Sequence, residues 1–191
     1  MYEGKRKKII VSCDLNYRKN LWDSDKAKSI MSNLMPYVDV CVANEEDAEK
    51  VLGIKTENND IESGRINKMG YESVARQICN VYGCKKVAIT LRESFSASRN
   101  GWSAMLFDSK EDRAYFSRHY DIQIVDRVGG GDSFTAGIIY SLLTEKDNES
   151  AIEFATAASC LKHTIEGDFN RTSVEDVIQL LENGGNGRVQ R

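Results

Sequence analysis

The segment Asp126-Arg127-Val128-Gly129-Gly130-Gly131-Asp132-Ser133-Phe134 connects an apolar run, 122–128, to apolar residues at helical spacing. Three consecutive glycines therefore stand where a strand is expected to turn into a helix. Glycine lets the backbone turn sharply and approach a ligand closely. The first N–H groups of a helix lack intrahelical partners and lie at the positive end of its dipole. The sequence therefore predicts an anion site at this junction, best suited to a phosphate.

Asp132 follows the glycines directly and could accept a proton from a hydroxyl beside that phosphate. A Walker A loop would need a lysine after its last glycine, and none follows here. A dinucleotide fingerprint would need a third glycine where Phe134 stands. A simple turn, with Asp132 as a favourable charge at the helix N-terminus, is the remaining alternative.

The composition is that of an ordinary folded protein. The chain has 191 residues, of which 41% are hydrophobic and 29% are charged, and its net charge is −3. This length predicts one domain, residues 1–182, followed by a flexible tail, residues 183–191. The slightly negative charge gives no indication of nucleic-acid binding. A polar stretch, 55–70, is interpreted as a surface loop.

The cysteines and the apolar runs indicate which cellular compartment is expected for the protein. There are five cysteines, an odd number, with no C-x-x-C pair. Buried reduced thiols in a cytoplasmic protein are the expectation. Two histidines are too few for a histidine-based zinc site. No apolar run has the length of a membrane span or of a signal-peptide core, so no membrane partner is expected.

The order of apolar segments predicts an α/β fold. Strands are expected at 8–13, 38–43 and 86–91, a hairpin from 102–107 and 113–120, and helices at 24–35, 71–82, 132–144 and 149–163. A last helix is expected from Thr172, with Glu175 completing a capping box. The alternation of apolar strands with helices predicts a doubly wound, mostly parallel sheet with helices on both faces.

Polar groups follow four of these apolar segments, at 14–18, 44–47, 90–94 and 129–132. Ligands of open α/β sheets bind at the carboxyl ends of the strands, so these groups are expected to meet in one crevice. Two alternatives stay open. Asp14 and Arg18 could simply pair to stabilise a loop, and Asn44 with the acidic residues after it could simply cap a helix.

These residues carry a resemblance. The glycine segment resembles the C-terminal signature of the ribokinase-like, PfkB-type sugar kinases, whose common form is D-T-x-G-A-G-D-x-F. Asp14-Leu15-Asn16-Tyr17-Arg18, Asn44-Glu45-Glu46-Asp47 and Leu161-Lys162-His163-Thr164-Ile165-Glu166-Gly167-Asp168-Phe169-Asn170 are similar to the 2-keto-3-deoxygluconate kinases of that family. The resemblance extends from about Ile9 to Asn170.

The resemblance implies that ATP phosphorylates a sugar-acid hydroxyl, with 2-keto-3-deoxygluconate converted to its 6-phosphate. It gives Asp132 the role of base and Gly129, Gly130 and Gly131 that of stabilising the phosphoryl oxygens. The other roles that it implies are nucleotide binding by Thr90 and Arg92, substrate binding by Arg18, Asn16, Asp132 and Asp168, contact with Mg²⁺ through water by Asn44 and Asp47, and binding of a monovalent cation such as K⁺ by Asp126.

Three positions depart from the family pattern. Gly130 replaces the common alanine, Asp47 stands where a glutamate is usual, and Arg92-Glu93 replaces a small glycine near the nucleotide. The family also has a longer N-terminal region with a β lid, which this sequence is expected to lack. A catalytically incompetent nucleotide-binding fragment, a kinase of fructose or ribose, a homo-oligomer and a partner that supplies the missing N-terminal half are therefore alternatives.

Overall fold

The computed structural model describes residues 1–55 and 67–184. Most of the expected polar loop, 55–70, and of the expected flexible tail, 183–191, lies outside the described residues. The chain divides into two compact units. Unit one contains residues 1–91 and 105–115, and unit two contains residues 92–104 and those from 116 onward.

Helices and strands alternate along the first half, and strands precede helices in the second. The strands are β1 Ser12–Asp14, β2 Val40–Ala43, β3 Lys86–Ser94, β4 Arg99–Asp108, β5 Arg113–Phe116 and β6 Tyr120–Gln123. The helices are α1 Tyr2–Arg6, α2 Ser24–Leu34, α3 Glu45–Asp47, α4 Lys68–Tyr82, α5 Gly130–Leu143, α6 Asn148–Lys162 and α7 Val174–Glu182. A 3₁₀ turn, Met35–Tyr37, follows α2, and a π-helical turn, Ala48–Leu52, continues α3.

The six strands form one mixed sheet in the order β1-β2-β3-β4-β5, with β6 beside β4. β1 pairs with β2 and β2 with β3 in parallel, whereas β4 and β6 are antiparallel. The expectation of a mostly parallel sheet therefore needs correction. Only four residues separate β3 from β4, and a parallel connection needs a dozen or more.

The first strand is shorter than the sequence predicts. The expected buried strand 8–13 begins only at Ser12, and Ile9 and Ile10 are 57% and 63% exposed. The chain leaves α1 through Lys8, whose φ is +59°, a left-handed conformation that an extended strand does not contain. The apolar run in the sequence therefore overestimates the strand.

Asp39, just before β2, connects three segments of unit one. Its buried carboxylate accepts a hydrogen bond from the Val11 backbone N–H at 3.0 Å and pairs with Lys5 at 3.3 Å and Lys85 at 3.0 Å. Burial alone would raise the pKa of Asp39, but the Val11 N–H and the two ammonium groups lower it below its ordinary value of 3.8. The charged form is therefore favoured by the fold.

The lowered pKa of Asp39 predicts how stability depends on pH. The unfolded chain binds this proton more readily, so the contribution of Asp39 is present above pH 3.8 and is lost as the pH falls through the folded-state value. We expect Asp39→Asn to lower the free energy of unfolding at pH 7 and to differ less from wild type near pH 3. Urea unfolding at both pH values measures this. An equal difference at both would contradict it.

In unit two, α5 and α6 pack closely through small residues. A Cβ at Gly137 would lie 2.6 Å from the Ala155 Cα. The boundaries of α5 and α6 are within two residues of the expected ones. The cap of α7 differs: the capping box is formed by Ser173 and Asp176, not by Thr172 and Glu175. No helix among the described residues is long and apolar enough to cross a membrane.

Candidate active site

The glycine loop, residues 124–129, leads from β6 into α5 in unit two. β6 ends at Gln123, so the apolar run 122–128 is mostly loop and not strand. Gly129 is the N-terminal cap residue of α5 with φ +77°, and it has no side chain to cap the first turn. Among the described residues, no cap side chain accepts from the first turn of this 14-residue helix, and the Gly130 N–H donates to the Arg127 carbonyl oxygen at 3.3 Å. This arrangement suits an anion such as a phosphate.

The loop that joins α6 to α7, residues 163–173, packs against the glycine loop. A Cβ at Gly129 would lie 2.1 Å from the Asp168 carbonyl oxygen, so only glycine fits there. Asn170 donates a hydrogen bond from Nδ2 to the Ser133 Oγ at 2.6 Å. Gly131, in contrast, has no described atom within 4 Å of its Cβ position. The two loops therefore form one structure, with Gly131 at its open side.

Asp126 joins these two loops through backbone hydrogen bonds. Its Oδ1 accepts from the Val128 N–H at 3.0 Å and its Oδ2 from the Gly167 N–H at 2.9 Å. These two bonds, with a smaller contribution from the Lys162 ammonium, lower the pKa of Asp126. Each oxygen keeps a further lone pair, so the carboxylate remains suited to a cation beside the loop.

Asp132 is exposed in the first turn of α5, directly after the glycines. Asp168 is exposed as well, and its backbone contacts Gly129. Arg92, at the end of β3, is exposed and close enough to His163 to lower the pKa of that ring. The expected residues of unit two thus lie around the glycine loop, while the expected roles remain predictions.

Asp47 in unit one forms a reciprocal cap with Asn44. The Asp47 Oδ2 accepts from the Asn44 N–H at 3.2 Å, and the Asn44 Oδ1 accepts from the Asp47 N–H at 2.8 Å. The Asp47 Oδ1 also accepts from the Tyr17 N–H at 2.8 Å. The carboxylate is 3% exposed, and burial raises its pKa despite these bonds. Both carboxylate oxygens already accept a backbone hydrogen bond, and the expected contact with Mg²⁺ through water stays a prediction.

The hydrogen bond from Tyr17 to Asp47 holds the segment 14–18 against the start of α3. Asn16 adopts a left-handed conformation, φ +41°, and both Asn16 and Arg18 are exposed. The Arg18 Nη1 donates to the Tyr17 carbonyl oxygen at 3.0 Å. Asn16, Arg18, Asn44 and Asp47 are therefore brought together in unit one. Thr90, half-buried in β3, belongs to the same unit.

Removing the Asp47 side chain is expected to destabilise unit one. Asp47→Ala would leave the N–H groups of Tyr17 and Asn44 without their acceptor, at a cost of about 1–3 kcal/mol each where they stay buried. Asp47→Asn keeps one acceptor oxygen and should lose less. Chemical denaturation of both variants measures the difference. Equal stability of wild type and Asp47→Ala would contradict the arrangement.

Comparison with known proteins identifies the class of this loop. Residues 93–173, which include the glycine loop and the α6–α7 loop, match the pfkB family carbohydrate kinase model. This part of the chain is similar to the pfkB carbohydrate kinases. Members of this family use ATP together with Mg²⁺.

Solved and curated kinases resemble nearly the whole chain. The 2-dehydro-3-deoxygluconokinase of Thermotoga maritima is 48% identical with a TM-score of 0.87, over 95% of this chain and 53% of that one. The 2-dehydro-3-deoxygalactonokinase of Haloferax volcanii is 26% identical over 91% of this chain and 48% of its own length. A candidate ribokinase II of E. coli, solved with ATP and Mg²⁺, covers 94% of this chain and 50% of its own, and shares the fold at 16% identity and a TM-score of 0.67.

The chain thus spans about half the length of the relatives that it matches. The range that matches the family model includes the glycine loop. The sequence assigns no role to four further residues around the glycine loop: Ser159 and Lys162 of α6, His163 directly after it, and Asn170. They lie 28 to 39 residues after Gly131, and although three of them belong to the segment 161–170 that carries the family resemblance, no spacing in the sequence connects them to Gly130.

Proposed function

We propose that this chain belongs to the pfkB carbohydrate kinases and transfers the γ-phosphoryl group of ATP to a hydroxyl of a sugar acid, converting 2-keto-3-deoxygluconate to its 6-phosphate. The observation that carries the proposal is the 48% identity to the Thermotoga maritima 2-dehydro-3-deoxygluconokinase across 95% of this chain. The open N-terminus of α5 supports it, because uncapped N–H groups there suit the transferred phosphoryl group.

In this proposal, Asp132 accepts the proton of the attacking hydroxyl, from an exposed position in the first turn of α5. The N–H groups at Gly129, Gly130 and Gly131 stabilise charge on the phosphoryl oxygens. Preorganised donors of this kind act without reorganisation during the reaction, which is why the contacts that hold the loop matter.

Arg18 and Asn16 bind the substrate, because a guanidinium group recognises a carboxylate in a bidentate manner. Asp168 contributes to the same substrate. Thr90 and Arg92 bind the nucleotide. The exposed side chains of Arg18 and Arg92 are available for these contacts, since neither forms a carboxylate ion pair among the described residues.

Mg²⁺, when bound with ATP, would supply positive charge that stabilises the phosphate oxygens. Asn44 and Asp47 would hold it through water, which agrees with a buried Asp47 carboxylate whose oxygens already accept backbone hydrogen bonds. Asp126 faces a monovalent cation such as K⁺ with the lone pairs that its backbone hydrogen bonds leave free.

ATP-dependent phosphorylation by the purified chain tests the proposal. The acceptors are 2-keto-3-deoxygluconate, its galactonate epimer, fructose and ribose, each with Mg²⁺ and K⁺. We expect the gluconate to have the highest kcat/KM. A higher value for another acceptor would contradict the substrate. ATP binding without any phosphorylation would favour the alternative of a nucleotide-binding protein.

A further inference from the structure

Gly130, the first residue of α5, has no room for a side chain. A Cβ at Gly130 would lie 2.5 Å from the Cε1 of His163 and 2.7 Å from its Nε2, distances that real Cβ atoms do not show. Gly130 has ordinary helical backbone, so its conformation does not itself require glycine. The imidazole ring of His163 is therefore what excludes a larger residue at this position.

The ring of His163 cannot move aside easily. It is 5% exposed, and its Nδ1 lies 2.7 Å from the Ser159 carbonyl oxygen. Because a carbonyl only accepts, Nδ1 carries the proton. The ring also packs on Trp102 with 4.6 Å between ring centroids. A buried ring held by a hydrogen bond and an aromatic contact resists displacement.

The end of α6 also holds the backbone around the glycines. The Ser159 Oγ donates to the Gly130 carbonyl oxygen at 2.8 Å. The His163 carbonyl oxygen accepts from the N–H groups of Val125 at 2.8 Å and Asp126 at 3.2 Å. The last turn of α6 therefore contacts both the loop before the glycines and the second of the three glycines.

We propose that His163 is a positioning residue that fixes Gly130, and with it the direction of the α5 N–H groups toward a bound phosphate. The proposal rests on the proposed function, because the phosphate is that of ATP. It also accounts for glycine at position 130, where the resembling signature has alanine: here the imidazole fills the space that the alanine methyl would need.

The support that His163 gives is steric. Burial lowers the pKa of the ring, the hydrogen bond to the Ser159 carbonyl oxygen raises it, and Lys162, Arg127 and Arg92 lower it further, so that the net shift is downward and the neutral form is favoured. A neutral side chain that keeps the bond to Ser159 but removes Cε1 and Nε2 is asparagine, whose Nδ2 can stand near the position of Nδ1. His163→Asn therefore separates the space that the ring occupies from the hydrogen bond that it makes.

The experiment is a double-mutant cycle of Gly130→Ala and His163→Asn in the purified chain, with ATP as the probe. Affinity is measured by calorimetry, kcat with 2-keto-3-deoxygluconate, and Tm by thermal unfolding. We expect Gly130→Ala alone to weaken ATP binding about ten-fold and to lower kcat by about 10²-fold, as displaced phosphoryl donors do. In the His163→Asn background, the same change should restore both.

The decisive result is that Gly130→Ala weakens ATP binding in the wild-type background and strengthens it in the His163→Asn background. If Gly130→Ala does not fold, the double variant is compared with His163→Asn and should bind ATP more tightly. If the wild-type chain binds ATP and phosphorylates the sugar acid, but His163→Asn does not rescue Gly130→Ala, the role of His163 is overturned and the proposed function is not. Failure of the wild-type chain to bind ATP would overturn both proposals. ATP binding with rescue, but without sugar-acid phosphorylation, would overturn only the proposed function.

Gly137→Ala is the control for general destabilisation. Its Cβ would overlap with the Ala155 Cα at 2.6 Å, inside the packing of α5 on α6 and away from the loop. We expect it to lower Tm without changing the ATP affinity of the folded protein, and His163→Asn should not rescue it. If Gly137→Ala and Gly130→Ala changed ATP affinity, Tm and rescue by His163→Asn in the same way, the effect of Gly130→Ala would be general destabilisation. That result would overturn the positioning role of His163.

Discussion

Replacing Asp132 by asparagine is expected to lower kcat for sugar-acid phosphorylation by about 10²–10⁴-fold, the usual contribution of a general base. Asparagine has nearly the same size but cannot accept the hydroxyl proton. Asp132 is exposed, so the change should leave Tm nearly unaltered. ATP affinity should also change little, because the N–H groups of the loop remain.

Glu149→Gln is the matched control for this variant. Glu149 is an exposed carboxylate in the first turn of α6, as Asp132 is in the first turn of α5. It tests whether the loss of any negative charge at a helix N-terminus affects the rate. An Asp132→Asn chain that retains more than about a tenth of the wild-type kcat would contradict the role of base.

Gly129→Ala is expected to have the largest effect on stability, with a fall in Tm of roughly 5–15 °C. Two costs add at this position. The left-handed φ of +77° disfavours any residue with a Cβ, and that Cβ would overlap with the Asp168 carbonyl oxygen at 2.1 Å. Because the α6–α7 loop would have to move, ATP affinity should fall as well. Thermal unfolding and calorimetry measure both effects.

Gly131→Ala provides the stability control within the same motif. In the part of the chain that the structure describes, no atom lies within 4 Å of its Cβ position, and its φ is not positive. We expect its Tm to stay within about 2 °C of wild type, since a solvent-facing alanine adds no strain. If Gly129→Ala and Gly131→Ala destabilised the chain equally, the contact between Gly129 and Asp168 would not be the cause.

The sequence is most informative where one local rule decides the structure. Three glycines before an apolar helical pattern predict the start of α5 to within two residues, and the structure begins this helix at Gly130. For Asn44 and Asp47, the sequence left two alternatives, a helix cap and a contact with a metal. The structure shows the cap, because both hydrogen bonds of the reciprocal pair are present.

The sequence is least informative where segments far apart in the chain meet. The contact of Gly129 with Asp168 and that of Gly130 with His163 depend on how the α6–α7 loop packs, and spacing alone does not encode it. The prediction of a strand that begins at residue 8 was wrong for a related reason. Ile9 and Ile10 match a buried strand in composition, yet they are exposed, since burial depends on what packs against them.

The cysteines make the chain its own reporter of local opening. Cys41, Cys79, Cys84 and Cys160 are buried, and burial raises the pKa of Cys79 to about 11 and those of Cys84 and Cys160 to about 12. A thiol that is both covered and protonated reacts with alkylating reagents only after the structure around it opens. Timed labelling would therefore rank the opening of unit one, through Cys79 and Cys84, against that of unit two, through Cys160.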